Sequence, residues 1–275
     1  MLKGFNSPLT PKGKSTLDPP PPWHYSCDFL TVEFWADPVA AASLLPEGLE
    51  SDREGTGHAG AFFCDWQFSG ENEEFLDPAR YQYREFFILL DALYEGKPVS
   101  YCPYMFVDND AAFARGRVQG YPKRLASVHQ TRLHAAPNTA APQLATGSKF
   151  AASMSAGGQR MAECLLTLRQ PVTDSAAFAQ RPVINMLHFP QLAAGKQNEP
   201  ALHALVENVP RNVRVEQMWG GERQLSFPQC KGEEISDLAP VRCRFGARAS
   251  MAYTVDDLVT LRDFVPESRV RGPLV

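Results

Sequence analysis

Short apolar and β-branched runs separated by turn residues dominate the 275-residue sequence from residue 58 onwards. About ten of these runs are typical of strands. Only three segments are typical of helices, at residues 39–45, 111–117 and 255–264. Many strands with few helices fit a closed or half-closed antiparallel barrel better than a doubly wound parallel sheet. The sequence therefore predicts an α+β fold, a largely antiparallel β-barrel flanked by a few short helices.

Tight turns connect the predicted strands. Glu95-Gly96-Lys97 and Gly157-Gly158 are typical of the turns between neighbouring antiparallel strands. Residues 86–90 are apolar at every position, which indicates a strand with one face toward an interior and the other against a second layer. An interior of this kind can hold a small ligand. The predicted strands are 61–68, 83–94, 99–107, 125–134, 144–154, 161–168, 183–189, 213–219, 224–227 and 241–253.

The chain is expected to form one compact domain, because no change of composition marks a break. Four consecutive prolines end the first 22 residues and favour an extended conformation. We therefore expect an extended N-terminal arm at 1–22, the domain at 23–265 and a C-terminal tail at 266–275.

The distribution of charged residues limits the classes of partner that the protein can bind. Lys and Arg number 27 and Asp and Glu 31, and the resulting net charge of −4 is spread along the chain, which argues against a nucleic-acid or anionic-membrane surface. No apolar run reaches the length of about 18 residues that a membrane helix needs, and residues 1–16 lack the apolar segment of a secretory signal. These features predict a cytoplasmic protein with neither nucleic acid nor membrane as partner.

Six cysteines occur singly, without a C-x-x-C pair, and the six histidines are scattered. The sequence contains no H-E-x-x-H, phosphate-loop or G-x-G-x-x-G motif. Zinc-hydrolase, phosphate-loop and dinucleotide-binding functions therefore have no support. We expect free thiols and no metal.

Residues 116–125, Gly-Arg-Val-Gln-Gly-Tyr-Pro-Lys-Arg-Leu, are the segment most informative about chemistry. A helix ends there at glycine, Pro122 stiffens the chain, and Lys123 begins a strand. Neighbouring side chains of a strand point to opposite faces, so Arg124 is expected to point away from the Lys123 amine. From composition alone, the two charges are more typical of a solvated strand end.

This segment resembles the lysine motif of the acetoacetate decarboxylase-like superfamily. The resemblance implies a barrel or cone flanked by helices, a homo-oligomer, and a Schiff base between Lys123 and a ketone or keto acid. It implies no metal or organic cofactor. The resemblance extends over about residues 20–264, and its blocks are 23–25, 28–30, 44–50, 101–110, 121–123, 181–182, 186–187 and 219–221.

Lys123 needs activation to form such an adduct, because only a neutral amine attacks a carbonyl. An unperturbed lysine with a pKa of about 10.4 is neutral in roughly one molecule in 2,500 at pH 7. Burial lowers a lysine pKa by as much as about 3–5 units, and a neighbouring cation also lowers it, as in acetoacetate decarboxylase itself. With Arg124 pointing away, we expect burial to be the main cause.

The resemblance also suggests the residues that assist Lys123. Glu85 matches the family's active-site glutamate, and Tyr83 lies two residues away on the same face of the predicted strand. Tyr253 and Gln119 correspond to residues of a branch that resembles aldolase-dehydratases. Arg117 is a candidate partner for a substrate carboxylate.

Four of these five residues also have a structural interpretation. Glu85 is alternatively a strand-edge carboxylate that pairs with Arg84 or Arg80. Tyr253 is a core aromatic residue, Gln119 a loop amide, and Arg117 a cap on the preceding helix. The sequence alone leaves both interpretations open.

Two departures from true acetoacetate decarboxylases point toward the aldolase-dehydratase branch. Cys27 stands where the decarboxylases carry an arginine for the substrate carboxylate, and a thiol lacks the guanidinium's fork of donors. The loop at 118–120 is also shorter and carries Gln119 instead of glutamate. The resemblance thus predicts a lyase that condenses pyruvate or a related 2-keto acid with an aldehyde. Decarboxylation of a 3-keto acid and a non-catalytic binding barrel are the alternatives.

Overall fold

The computed structural model describes residues 1–53, 56–136, 138–173 and 181–265, so the predicted tail at 266–275 lies outside the described residues. Within them lie twelve strands and three short α-helices, and strands predominate as predicted. The helices are α1 (Pro38–Ser43), α2 (Pro78–Tyr81) and α3 (Asp110–Val118). The strands are β1 (Trp23–Trp35), β2 (Glu50–Ser51), β3 (His58–Ser69), β4 (Gln82–Tyr94), β5 (Lys97–Val107), β6 (Lys123–Leu125), β7 (Ser127–Gln130), β8 (Lys149–Ala156), β9 (Gln159–Pro171), β10 (Val183–Pro190), β11 (Pro200–Ser226) and β12 (Arg242–Asp263).

Seven strands close into a ring through backbone hydrogen bonds, in the order β1-β3-β4-β5-β10-β11-β12 and back to β1. Every neighbouring pair is antiparallel except β5 and β10, which pair in parallel over two residues. The sheet continues from β11 through β9 and β8 to β7. This closed ring confirms the predicted antiparallel barrel core, and closure removes the unpaired edges that an open sheet exposes.

The two faces of the ring bury different sets of side chains. On β4, Phe86 and Ile88 belong to a core shared with β7, β8 and β9. Phe87 and Leu89, on the opposite face, belong to a second core inside the ring, where they line a cavity. The continuous apolar run is therefore buried on both sides, as predicted.

Two predictions that depend on local chemistry, a helix cap and a hairpin turn, are confirmed. The side chain of Asp37 accepts hydrogen bonds of 2.9 Å from the backbone N–H groups of Val39 and Ala40 and starts α1. The turn between β4 and β5 has left-handed backbone at Glu95 and Gly96, with φ of 50° and 76°. At these two places the capping and turn residues alone were enough to predict the backbone conformation.

The helix predicted at 255–264 is wrong, because residues 255–263 belong to β12. Their backbone pairs with β11, where Val255 lies opposite Pro210 and Val259 opposite Glu207. Asp256 pairs with Arg211 of β11, 2.9 Å from Nη2 to Oδ1, rather than capping a helix. Pairing with strands distant in sequence decided the conformation over the local acidic signal.

Further strands differ from the prediction. No strand was predicted at the position of β1, which lies between β3 and β12 in the ring. The separate strands predicted at 213–219 and 224–227 form one long strand, β11, which is irregular near the left-handed residues Asn212 and Gln217. The strand predicted at 125–134 is instead divided into β6 and β7.

The first 22 residues contain neither a helix nor a named strand, but they are not extended throughout. The arm folds back on itself where the backbone of Lys3 and Thr10 exchanges hydrogen bonds of 2.8 and 3.0 Å. The indole N–H of Trp23 donates to the carbonyl of Pro19, which fixes the end of the arm on β1. In the described part of the chain, no helix is long and apolar enough to cross a membrane.

His58 makes the stability of the fold sensitive to alkaline pH. Its Nδ1 lies 2.7 Å from Asp91 and its Nε2 2.8 Å from Glu33. Burial lowers the pKa of His58, but hydrogen bonds to the two carboxylates outweigh it and raise the pKa to about 9. Because this exceeds the unfolded value of about 6.5, the stabilisation is complete below pH 6.5 and is lost as pH rises through about 9.

Urea unfolding of the wild type and of His58→Gln at pH 6 and pH 9.5 measures this contribution. The wild type is expected to lose on the order of 2 kcal/mol more than the variant between the two pH values, after allowance for solvent screening. Equal losses in the two proteins would show that His58 is not the group responsible.

Candidate active site

A cavity inside the ring contains nearly all the predicted site residues. Its walls are mostly aromatic and apolar, and among the described residues that line it Lys123 and Glu85 are the only charged ones. The lining residues are Tyr25, Trp66, Tyr83, Glu85, Phe87, Leu89, Met105, Gln119, Tyr121, Lys123, Val183, Asn208, Pro210, Val213, Met251, Tyr253 and Val255. A lining of this kind keeps water scarce around the two charges and strengthens their interaction.

Lys123 and Glu85 form a buried ion pair in this cavity. The Lys123 Nζ lies 2.6 Å from Glu85 Oε2, and each side chain is 5% exposed. Lys123 begins β6, which pairs in parallel with β5 at Met105, and Glu85 lies on β4. The barrel therefore brings together two residues that lie 38 positions apart in the sequence.

The Lys123 side chain packs directly against Gly116 of α3. A Cβ atom at position 116 would overlap Cδ and Cε of Lys123 and lie 2.8 Å from Cγ. The missing side chain of Gly116 thus leaves the space in which the lysine reaches Glu85.

Gly120 shapes the loop that precedes the lysine. Its backbone is left-handed, with φ of 81°, and its N–H donates to the carbonyl of Arg117 at the end of α3. Pro122, whose ring restricts its own φ, stands directly before Lys123.

Burial lowers the pKa of the Lys123 amine, in agreement with the expected main cause. The Glu85 carboxylate opposes this effect, while the Arg115 guanidinium adds to the lowering. A lowered pKa increases the neutral fraction, which is the nucleophile in imine formation.

Two of the arginines near Lys123, Arg124 and Arg117, point away from the cavity. Arg124 points outward, as predicted, and forms a two-pronged pair with Glu233 at 2.6 and 2.8 Å. Arg117 is exposed over the ring of Phe113 and does not line the cavity, so the structure does not bring this candidate carboxylate partner to the site.

Sequence reasoning missed Arg115, the arginine that is buried. The buried residues of α3 are Ala111, Ala112, Arg115 and Gly116, a helical spacing that puts Arg115 on the inner face and Arg117 on the outer one. This helical spacing was the sequence signal that could have identified Arg115 as the buried arginine.

Tyr83, Gln119 and Tyr253 all line the cavity with Lys123. Burial raises the pKa of both tyrosines well above 10, so both hydroxyls are protonated at neutral pH and can donate. Gln119 is buried, and its backbone carbonyl accepts a hydrogen bond of 3.2 Å from the Asn208 side chain. These residues surround the amine with groups that can bind or protonate a small substrate.

Two cavity residues with free donors were also missed. The hydroxyl of Tyr25 and the indole N–H of Trp66 are buried without a hydrogen-bond partner. Tyr25 stacks on Tyr253 at 4.9 Å, and Trp66 meets Tyr253 edge-on at 5.7 Å. The alternation of β1, had that strand been recognised, would have placed Tyr25 and Cys27 on one face.

The predicted free thiols are confirmed for all six cysteines, and Cys27 is buried. Cys27 belongs to the apolar core inside the ring, so this position brings a small apolar side chain rather than a cation. Over the described ranges, no three His, Cys, Asp or Glu side chains are grouped to hold a metal ion.

The model of the acetoacetate decarboxylase (ADC) family matches residues 6–264. The chain belongs to the acetoacetate decarboxylase family. Membership in this family makes the chain an enzyme and agrees with the predicted resemblance. No curated protein matches the sequence.

Solved structures place this family member nearer to one relative than to the decarboxylases. The enduracididine biosynthesis enzyme MppR, complexed with the condensation product of pyruvate and imidazole 4-carboxaldehyde, is 33% identical, with a TM-score of 0.88 over 96% of this chain and 98% of that chain. A second MppR structure is complexed with pyruvate, with 33% identity, a TM-score of 0.87, and coverage of 96% and 100% of the two chains.

More distant family members share the fold. An acetoacetate decarboxylase-like enzyme from Sphingomonas wittichii RW1 is 22% identical, with a TM-score of 0.86 over 95% of this chain and 100% of that chain. The acetoacetate decarboxylase of Legionella pneumophila subsp. pneumophila str. Philadelphia 1 is 16% identical, with a TM-score of 0.74 over 90% of each chain. The identities place the chain closer to MppR than to this decarboxylase.

Proposed function

We propose that the enzyme is a Schiff-base lyase that condenses pyruvate, or a related 2-keto acid, with an aldehyde and then eliminates water. The observation that carries the proposal is the Lys123 amine, buried in an enclosed cavity and 2.6 Å from the Glu85 carboxylate. A 33% identical relative, MppR, binds pyruvate and a pyruvate–aldehyde condensation product.

The reaction begins when the neutral Lys123 amine attacks C2 of pyruvate. The carbinolamine loses water to give an iminium ion, and loss of a C3 proton gives an enamine, with the iminium as electron acceptor. The enamine carbon bonds to the aldehyde carbon, and the resulting alkoxide takes a proton. Loss of a second C3 proton and of the new hydroxyl as water gives a conjugated imine, which water hydrolyses to the unsaturated 2-keto acid and free Lys123.

Glu85 is the proposed proton carrier. Its carboxylate contacts the amine, so it can move protons during carbinolamine dehydration and at C3. No metal or organic cofactor enters this scheme, since the iminium itself accepts the electron pair.

The cavity tyrosines and amide are proposed to orient the substrate. Gln119 and Tyr83 bind the carboxylate and carbonyl oxygens, and the partnerless Tyr25 hydroxyl adds a donor. Tyr253 protonates the alkoxide or assists the loss of water. The cytoplasmic location and a homo-oligomeric assembly remain predictions.

Product analysis tests the function. Pyruvate is incubated with imidazole 4-carboxaldehyde or benzaldehyde, and the product is measured by ultraviolet absorbance and mass. The proposal predicts a conjugated 2-keto acid with the summed mass of both reactants less one water. Acetoacetate is tested in parallel. Release of carbon dioxide from acetoacetate, with no reaction of pyruvate, would overturn the proposal in favour of the decarboxylase.

Replacing Tyr253 by phenylalanine is expected to separate two steps. Removing the hydroxyl leaves Lys123 and Glu85 in place, so borohydride trapping of the pyruvate imine should change less than twofold. Condensation or dehydration should slow by about 10²–10⁴-fold, the usual contribution of a positioned acid. Tyr104→Phe, outside the cavity lining, is the matched control. Equal slowing of trapping and turnover would contradict the assigned step.

A further inference from the structure

The N-terminal arm, residues 1–22, places one carboxylate in the protein interior. Asp18 is completely buried, and its Oδ1 lies 2.8 Å from Nη1 of Arg115, itself 1% exposed. The side-chain amide of Asn6 donates to the other carboxylate oxygen at 2.7 Å. A buried ion pair adds little net stability relative to apolar residues of similar volume, so stability alone does not account for this pair.

The Arg115 end of this pair reaches the cavity wall. Its guanidinium carbon lies 3.7 Å from the ring centre of Phe68 and 5.4 Å from that of Tyr83. The Lys123 Nζ also lies 5.4 Å from the Tyr83 ring centre. The two cations are therefore separated by no more than twice that distance, in a buried environment that screens charge poorly.

We propose that Asp18 is a positioning residue: it holds Arg115 beside the cavity and sets how strongly that cation favours a neutral Lys123. The N-terminal arm thereby becomes part of the active site. The functional meaning rests on the proposed imine chemistry, but the electrostatic effect itself can be measured without substrate.

The direction of the effect follows from the charges around the amine. Burial and Arg115 lower the pKa of Lys123, while Glu85 and Asp18 raise it, and Arg115 acts more strongly than Asp18. The groups that face Lys123 are Glu85 and Tyr83 on β4, Cys102 on β5, Arg115 on α3 and Asp18 on the arm, together with the other tyrosine hydroxyls of the cavity.

Charge variants test the proposal through the pH dependence of Lys123 acetylation by acetic anhydride, followed by mass spectrometry of the peptide. Asp18→Asn keeps a side-chain oxygen that accepts from Arg115 and so keeps the cation in place, but it removes the counterion charge, so the midpoint of the acetylation pH profile is expected to fall. Arg115→Met and the Asp18→Asn/Arg115→Met double variant remove the cation, so both midpoints are expected to rise. One charge at the upper limit of the separation between Arg115 and Lys123, with an effective dielectric constant of about 20, predicts a rise of about one pH unit for Arg115→Met. In the double variant the loss of Asp18 partly cancels the loss of Arg115, so the expected rise is smaller.

The double variant keeps the test decisive if Asp18→Asn alone fails to fold, because it leaves no uncompensated charge. A midpoint in the folded double variant that is unchanged or lower than in the wild type overturns the proposal. Thr16→Val loosens the arm without changing any charge, because it removes the hydrogen bonds of Thr16 with Asn6 and with the backbone carbonyl of Asp18, and it should leave the midpoint in place. A midpoint shift in Thr16→Val equal to that in Asp18→Asn would also overturn the proposal, because it would show that loosening the arm, without any change of charge, is enough to move the midpoint.

The outcomes also separate this inference from the proposed function. If the wild type forms no reducible adduct with pyruvate while the acetylation midpoints move as expected, the imine chemistry fails and the role of Asp18 in positioning the cation holds. If the adduct forms and the midpoints stay fixed, the positioning role fails and the proposed function holds.

Discussion

Lys123→Ala is expected to abolish condensation of pyruvate with an aldehyde, with a loss of at least about 10⁴-fold that leaves only background reaction. The amine is the atom that forms the covalent bond to substrate, so no neighbouring group substitutes for it. Lys123→Arg should be equally inactive, because a guanidinium stays protonated and forms no imine at neutral pH. Initial rates with saturating pyruvate measure both losses.

Two controls separate lost chemistry from lost structure. Lys149→Ala removes an exposed lysine on β8 and should retain full activity. Lys123→Ala leaves Glu85 buried without its partner, so its far-ultraviolet circular dichroism is compared with that of the wild type to establish that the variant is folded. Turnover above a tenth of the wild-type rate in a folded Lys123→Ala protein would remove the lysine from the mechanism.

Gly116→Ala is expected to produce the second largest loss, about 10²-fold in kcat/KM. The added Cβ would overlap Cδ and Cε of Lys123, so the side chain must move away from its position beside Glu85. A displacement of about 1 Å of a reacting group can cost about 10²-fold in rate. The same change favours the helix by up to about 1 kcal/mol through alanine's propensity, so the loss of activity should not follow from a weakened α3.

Val118→Ala is the matched control on the same helix, because this side chain is 37% exposed and lies outside the cavity lining. It should retain the wild-type kcat/KM within about twofold. Wild-type activity in Gly116→Ala would show that the lysine tolerates another position, and that its packing against α3 does not place the amine.

Local structure and side-chain direction could be predicted from the sequence where the signal lay within a few residues or repeated along one strand. The Asp37 cap, the Glu95-Gly96 turn and the doubly apolar strand at 86–90 each carry their physical cause within a few residues. Lys123 and Arg124 follow the same rule, since strand alternation alone places one side chain inside and the other outside.

The features that were not predicted depend mostly on contacts between segments distant in sequence. The Asp256 region has an acidic helix-start signal, yet its backbone pairs with β11, and a single sequence contains no record of that pairing. Arg115 was passed over in favour of Arg117, although helical spacing alone distinguishes the buried position from the exposed one. Asp18 could not be predicted, because it is linked to the site through an ion pair with a residue 97 positions away in the sequence.

The central claim is that Lys123 forms an imine with a 2-keto acid, and the most direct test locates the reduced adduct. The enzyme is incubated with pyruvate, reduced with borohydride, digested, and analysed by peptide mass spectrometry. The account predicts one adduct per chain that retains the pyruvate carboxylate and lies on the peptide containing Lys123. An adduct on another lysine, or no adduct in protein that is folded and active, would contradict it.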